Sequence, residues 1–422
     1  MLIKKGGFLL LLLLLVMSLA ACSDEEGEGA AEDGEFGGEL TVWVHPYVAS
    51  DLKADQEKVF ADMAASFNEQ YPGVEVNFEE IPWANREQKL LTALAANQGP
   101  DVFYLIPDMM AQFAETGVLE PITDYIGDDW GQDDYADTTL EAVTYQGDLY
   151  GLPILREVTT QIYNKNILEE VGGDPENPPT TWEEFNALAE KAVDAGYYGR
   201  SFEGANTPNA TIYPLIWQAG GDILSEDGEV LINSEKFVKA FELVNEWYKN
   251  GVIPPDSINT LSHFEAFLEG NIFSVFGTGL TFSSMEDRGF TDYVVGPPLM
   301  EEEQATFGTT GMFVVASNSD NKEAASLLVK EMTNEEHTKA FNTLTKYIPP
   351  RASGASIFEG NADMMQLTEY LDVTKPGVMH PVARNIIPLV QAEMQAMMEG
   401  TKTPQEAADA AAAAIQSEID RM

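Results

Sequence analysis

Carboxylates are the most abundant reactive groups in this chain, yet few of its side chains stand in catalytic order. The 70 aspartates and glutamates offer pairs throughout, which is what acid–base cleavage of a glycosidic bond would use. None of the four histidines forms an HExxH pair, and neither a GxSxG elbow nor a P-loop is present. Gly277-x-Gly279 lacks the third glycine and the acidic partner of a dinucleotide site, and Asp128-Asp129 and Asp133-Asp134 miss the spacing of a calcium loop. Recognition chemistry is better served. Tyr47 and Trp83 are flat rings set in polar loops, where exposure for stacking on a ligand is expected over packing.

The single cysteine, Cys22, closes the run Leu19-Ala20-Ala21-Cys22. Basic Lys4 and Lys5, an apolar stretch over 8–15 and small residues before the cysteine form a secretory signal similar to that of bacterial lipoproteins. An ordinary signal peptide with an incidental cysteine is the alternative. The stretch is short for a spanning helix, which needs about 20 apolar residues. Cleavage after residue 21 would leave Cys22 to carry lipid, whose chains partition into a bilayer at ~0.8 kcal/mol per buried methylene. No thiol then remains for a disulfide or a cysteine zinc site, and no metal or cofactor is expected.

The formal net charge is −47, and loss of Lys4 and Lys5 with the leader deepens it. Such a field repels nucleic acid and anionic headgroups. The acids are spread over the whole chain and read as a solvated surface suited to high salt, where the Debye length falls to about 3 Å at 1 M; an alkaline habitat is the competing cause. At 422 residues the chain exceeds one comfortable core, so two domains are expected.

The elements that must position these groups follow from pattern. Residues 23–38 are Asp, Glu, Gly and Ala with one aromatic, Phe36, and read as part of a flexible acidic tether over 22–38. Order begins with the β-rich run 39–44. A helix carrying Val59, Phe60, Met63 and Phe67 ends before Tyr71-Pro72-Gly73; a strand over 74–78, a helix over 86–96 and a strand over 101–105 follow. This alternation is that of an open α/β sheet, whose ligands sit beyond the carboxyl ends of the strands. The loops that matter are therefore 45–50, 81–85 and 106–109. Further on, Thr181 and Glu184 form a capping box for a helix through 193. Helices are also expected over 213–219, 235–249, 263–268, 322–332, 382–398 and 404–419, with a β run over 311–316. Trp182 and Trp247 sit among apolar neighbours at helical spacing and are assigned to the core.

Several segments, taken in order, carry a family likeness. They include Phe67-Asn68-Glu69-Gln70-Tyr71-Pro72-Gly73, Gly99-Pro100-Asp101-Val102, Tyr150-Gly151-Leu152-Pro153, Tyr163-Asn164-Lys165, the Pro-Pro-Thr-Thr-Trp-Glu-Glu-Phe run ending at Phe185, and Trp217-Gln218-Ala219-Gly220-Gly221. From Leu40 onward the chain resembles the extracellular solute-binding proteins of bacterial ABC importers, the maltose-binding-like group. The resemblance implies a type II periplasmic-binding-protein fold, two α/β lobes each with a mostly parallel sheet, closing on a ligand in a hinged cleft. It places the crossings near 155–158, 306–310 and 347–352, giving an N-lobe of 39–154 plus 311–350 and a C-lobe of 155–310 plus 351–422. It also implies a monomeric, non-enzymatic receptor, lipid-anchored at the outer membrane face, that captures a carbohydrate and passes it to a permease. A lipoprotein glycoside hydrolase or a non-transport sensor of the same fold are the rival readings.

A sugar presents apolar faces and a rim of hydroxyls, so rings, carboxylates, amides and guanidinium groups should line the cleft. Tyr47 and Trp83 would stack. Asp108, after a strand end, is either a helix cap or, on the family's pattern, a hydroxyl-binding acid. Arg156 and Glu157 lie at the first crossing; Glu157 matches a cleft acid, or the two only pair with each other. Trp217 and Gln218 fall near the family's binding aromatics, although Trp217 equally suits the core. Phe276 opens a glycine-rich run in which the family often has a stacking tryptophan and this chain has none, a departure from a maltodextrin-type site. Phe307, Arg351 and Arg384 complete the set by position near the crossings and on a cleft-facing helix.

Overall fold

The computed structural model describes residues 36–422 apart from residues 84 and 226. Cys22, the signal over 1–21 and most of the tether therefore lie outside the described residues. Order begins slightly earlier than expected. Phe36 packs against Tyr71, 5.5 Å between ring centroids, and Gly38 already pairs with Val74, because the one aromatic of the acidic segment has apolar surface to bury.

Local signals account for much of the helical framework. Lys53–Gln70 buries Phe60, Met63 and Phe67, and the Thr181–Glu184 capping box starts Trp182–Asp194. Helices Tyr213–Gln218, Glu235–Lys249 and Phe264–Leu268 each run into a glycine of positive φ, 70° at Gly220, 72° at Gly251 and 77° at Gly270. Only glycine takes that left-handed turn without strain.

The glycine-rich run after Phe276 leads into a helix, Gly279–Asp287. The Thr278 amide donates to Thr281 Oγ1 at 3.0 Å, and Phe282 and Met285 are buried beneath. Capping and burial outweigh the low helix propensity of one glycine, about 1 kcal/mol.

Two sheets organise two lobes. In the first, Gly38–Val44 pairs in parallel with Val74–Glu80 and Val102–Leu105, and Val102–Leu105 pairs antiparallel with the long strand Thr306–Ala316. The second departs from the expected mostly parallel sheet, since Thr160–Asn164 runs antiparallel to both Ser274–Gly277 and Tyr293–Gly296. The physical reason is direction of travel. The chain enters this lobe through Thr160–Asn164, whereas the two outer strands, joined by the helix Gly279–Asp287, both run the other way.

Four apolar clusters fill the lobes. Two draw their buried residues from 40–155 and 312–341, and two from 158–305 and 348–415. Between them run Gly151–Val158 and Thr306–Ala316, paired from Gly308↔Val158 to Val314↔Gly151. Arg156 and Ile348 exchange backbone hydrogen bonds of 2.7 and 2.9 Å, adding a third segment to this connection. The ladder slips at Gly311, where a Cβ would lie 2.3 Å from the Tyr104 hydroxyl. Only glycine lets that tyrosine approach the crossing strand.

Candidate ligand-binding site

The Gly151–Val158 strand brings Glu157 between the lobes, and alternation sends Arg156 to the opposite face. Neighbours of different chain position converge on the Glu157 side. Tyr104 lies in the electrostatic field of Arg86, Glu157 and Asp108, and Tyr347 in that of Glu157, Tyr104 and Arg86. Burial raises both phenols well above their ordinary range. Burial also pushes the Glu157 carboxyl up to about 7, partly offset by the Thr278 hydroxyl. Glu157 therefore changes charge near neutrality.

Asp108 stands in the first turn of Pro107–Glu115, a helix with proline at its start. Its side chain makes none of the capping bonds expected of a helix cap, and is only 2 % exposed. Instead it reaches across the cleft. Arg384, from the helix Ala383–Met398, donates from Nη1 to Asp108 Oδ2 at 3.0 Å and from Nε to Glu87 Oε2 at 3.0 Å. Asn209 Nδ2 donates to the same Asp108 oxygen at 3.3 Å. Asp108 Oδ1 is buried with no partner among the described residues, as is the Tyr213 hydroxyl close by. Burial raises the Asp108 pKa, and Arg384, Arg86 and Asn209 pull it partly back.

Trp83 forms the outer wall. Its ring is 37 % exposed and stacks on His45 at 4.1 Å, while Nε1 donates to the Pro46 carbonyl at 3.0 Å. Arg86 lies 5.0 Å from the Trp83 centroid, and a hollow of about 440 Å³ runs beside them to Glu87 and Arg384. His45 Nδ1 lies 2.9 Å from the Ile81 carbonyl, and burial lowers the imidazole to about 4, so it is neutral at pH 7. A neutral ring fixed by a backbone bond is a rigid support for Trp83.

Other expected site residues lie elsewhere. Tyr47 is 3 % exposed, wedged edge-on against Trp83, Tyr104 and Phe341, with its amide donating to Gln56 Oε1 at 2.7 Å. It cannot stack on a ligand, because the polar loop folds back onto the N-lobe core. Arg156 does not pair with Glu157; it donates from Nη2 to the Leu371 carbonyl at 3.3 Å. Trp217, 1 % exposed, is core and donates to Asp222 Oδ1 at 3.3 Å. Gln218 is wholly buried and consumed, accepting from Trp182 Nε1 at 2.7 Å and donating to the Ala305 carbonyl at 2.8 Å. Arg351 is a staple, donating to the carbonyls of Thr333, Trp130 and Gly131 at 2.9, 2.9 and 3.2 Å. Phe307 shares the strand face of Glu157 but packs against the C-lobe cluster. Phe276 lines a separate C-lobe cavity.

Thus the structure joins Trp83, Asp108, Glu157 and Arg384 and adds Arg86, Glu87, Tyr104, Asn209, Tyr213 and Tyr347. Tyr347 had a signal, since it begins the third crossing; Asn209 and Tyr213 had none beyond a turn and an apolar run. Among the described residues no group of three or more His, Cys, Asp or Glu is placed to hold a metal ion. The arrangement offers one open ring, guanidinium donors and two carboxyl groups with spare capacity, a set suited to a polyhydroxylated ligand.

The chain matches the bacterial extracellular solute-binding protein family over residues 62–366. It is 30% identical over 321 residues to a maltotriose-binding protein of Pyrococcus abyssi, covering 74% of this chain and 66% of that one. It is 25% identical over 426 residues to a galactooligosaccharide-binding protein of Bacillus subtilis, covering 95% and 94%. Its fold is that of an ABC substrate-binding protein of Listeria monocytogenes in complex with cycloalternan, TM-score 0.79 at 25% identity, over 91% of this chain and 100% of the other. The two-lobed fold is the type II periplasmic-binding-protein architecture, and the chain belongs to the bacterial extracellular solute-binding protein family.

Proposed function

We propose that the protein is the lipid-anchored receptor of an ABC importer, holding a carbohydrate between its lobes and presenting the closed form to a permease, without turning the sugar over. The observation that carries this reading is Asp108. One of its oxygens is held by Arg384 and Asn209 from the facing lobe, and the other, Oδ1, is buried with acceptor capacity to spare. A sugar hydroxyl donating to Oδ1, with its ring on Trp83, would be gripped by both lobes at once. A ligand that contacts both lobes only when they are closed shifts the population toward closure.

In this reading the N-lobe is 39–154 plus 311–350, the C-lobe is 155–310 plus 351–422, and the monomer is tethered through Cys22 at the outer face of the membrane. Tethering keeps the receptor at high effective concentration beside its permease. Isothermal titration of the soluble chain against mono- and oligosaccharides tests the proposal, with product analysis on the same samples. Stoichiometric binding with sugar recovered unchanged is expected. Cleavage of the sugar, or binding only of peptides, polyamines or anions, would overturn it.

A further inference from the structure

Six of the seven arginines are committed to partners within the protein. Arg288, Arg351, Arg384 and Arg421 each pair with a carboxylate, and Arg156 and Arg200 donate to the carbonyls of Leu371 and Ser201. Arg86 alone has no carboxylate or hydrogen-bond partner among the described residues; its guanidinium carbon lies 5.0 Å from the Trp83 centroid and 5.9 Å from that of Tyr104. In a chain with 70 carboxylates, a permanently charged group left without one calls for a cause.

Arg86 lines the hollow of about 440 Å³ shared with Trp83, Glu87, Gln88 and Arg384, a volume within the range for small-molecule sites, about 300–1,000 Å³. The charge around this hollow differs from that of the whole chain. Glu87 and Asp108 both pair with Arg384, and Arg86 adds a second cation. Lys89, on the same helix Arg86–Ala95, adds a third, and the charges of Arg86 and Lys89 both reach His45 where it stacks on Trp83. Glu157, deeper between the lobes, holds its proton up to about pH 7. At physiological salt the Debye length is about 8 Å, so acids spread over the outer surface are screened and these near charges set the local field. A planar carboxylate matches a planar guanidinium, accepting two parallel N–H bonds. Contact with the Trp83 and Tyr104 rings holds the Arg86 group in place for such a pairing.

We infer that the carbohydrate taken into the cleft is an acidic sugar, its carboxylate received by Arg86 while a hydroxyl donates to Asp108 Oδ1. This rests on the carbohydrate reading of the cleft and adds the charge of the ligand to it. Arg86 then separates acidic from neutral sugars, because a neutral one leaves the guanidinium without a counter-charge as the closing lobes exclude water.

The test is titration of the soluble chain with matched sugars: galacturonate and trigalacturonate against galactose and galactotriose, glucuronate against glucose, and glucose 6-phosphate as a second kind of anion. At low salt the wild type is expected to bind an acidic sugar at least about tenfold more tightly than its neutral partner. That ratio should shrink as salt is raised to about 1 M, fall about tenfold in Arg86→Gln and recover in part in Arg86→Lys. The wild-type ratio and its salt dependence need no variant to fold. Neutral sugars bound as tightly as their acidic partners would overturn the acidic ligand and leave the carbohydrate reading standing. Preference for glucose 6-phosphate over the uronates would overturn the carboxylate, and an acid preference unchanged in Arg86→Gln would overturn the role of Arg86. Wild-type protein that binds none of these sugars would overturn the cleft reading and this inference with it.

Discussion

Arg384 Nη1 donates to Asp108 Oδ2 at 3.0 Å across the cleft, so a helix of one lobe is tied directly to a helix start of the other. Asp108 is almost wholly buried, and Arg384 keeps about a quarter of its side chain in solvent. The pair therefore stabilises closure while leaving the guanidinium within reach of a ligand.

Arg384→Met would strand a buried carboxylate. Breaking a fully buried pair costs about 3–5 kcal/mol, and solvent access to Arg384 reduces this to about 1–3 kcal/mol. Urea unfolding should show that loss, and small-angle scattering should show a larger radius of gyration. Adding Asp108→Asn should restore part of the stability, because no charge is then left unpaired. Additive losses in the double variant would argue against the coupling.

Glu157 makes stability depend on pH. Its folded carboxyl titrates near 7 against an ordinary 4.5, so the native state holds the proton more tightly and stability is lost as pH rises from about 4.5 to 7. Glu157→Gln should be more stable than the parent at pH 8 by about 1–3 kcal/mol, given 1.36 kcal/mol per unit and a discount for partial exposure. The two should converge below pH 4.5. Parallel melting curves across this range would exclude the burial effect.

Trp83 should matter for binding more than for folding. Trp83→Ala removes a ring that is 37 % exposed, so sugar affinity should fall at least about tenfold, some 1.4 kcal/mol, with a smaller change in melting temperature. Its support, His45, has a folded pKa lowered to about 4. The unfolded chain takes up that proton first as pH falls from 6.5 to 4, so His45 contributes stability that is lost across this window. Trp83 fluorescence should hold steady from pH 8 to 6 and change below about pH 5.

Arg351 and Gln218 should behave oppositely to Trp83. Arg351→Met leaves the Trp130 carbonyl without a partner among the described residues and takes one of two donors from the Thr333 and Gly131 carbonyls, and Gln218→Leu leaves Trp182 Nε1 and the Ala305 carbonyl without partners among them. Each unsatisfied buried group costs about 1–3 kcal/mol, so both variants should lose roughly 2–4 kcal/mol in denaturant. Sugar affinity of the folded fraction should stay within about twofold. A selective loss of affinity would return these residues to the site.

The charge of −47 predicts that salt stabilises the fold. Raising salt from low concentration to about 1 M shortens the Debye length to roughly 3 Å and should raise the melting temperature. A flat or falling response would remove self-repulsion as a factor in stability.

Local chemistry made much of the framework legible. The Thr181–Glu184 box, the glycine stops and the alternating run at 74–78 act between near neighbours, and each appears where pattern places it. The site was only half legible. Asp108, Glu157, Trp83 and Arg384 come together between the lobes, whereas Tyr47, Trp217, Gln218 and Arg351 are committed to packing or backbone bonds. Residue type did not separate the two groups, because a buried and an exposed aromatic in a polar loop look alike in one dimension.

The sequence by itself determined the helices with their caps and, through motifs in order, the family. Tertiary structure decided which polar and aromatic groups are spare. Tyr47 is closed off by Phe341, nearly three hundred residues away, while Trp83 rests on His45 with its edge in the cleft. Asp108 has one oxygen taken and one free only because the opposite lobe supplies Arg384 and Asn209. Burial and partner choice are set by contacts between distant segments, and they leave no periodicity along the chain to read.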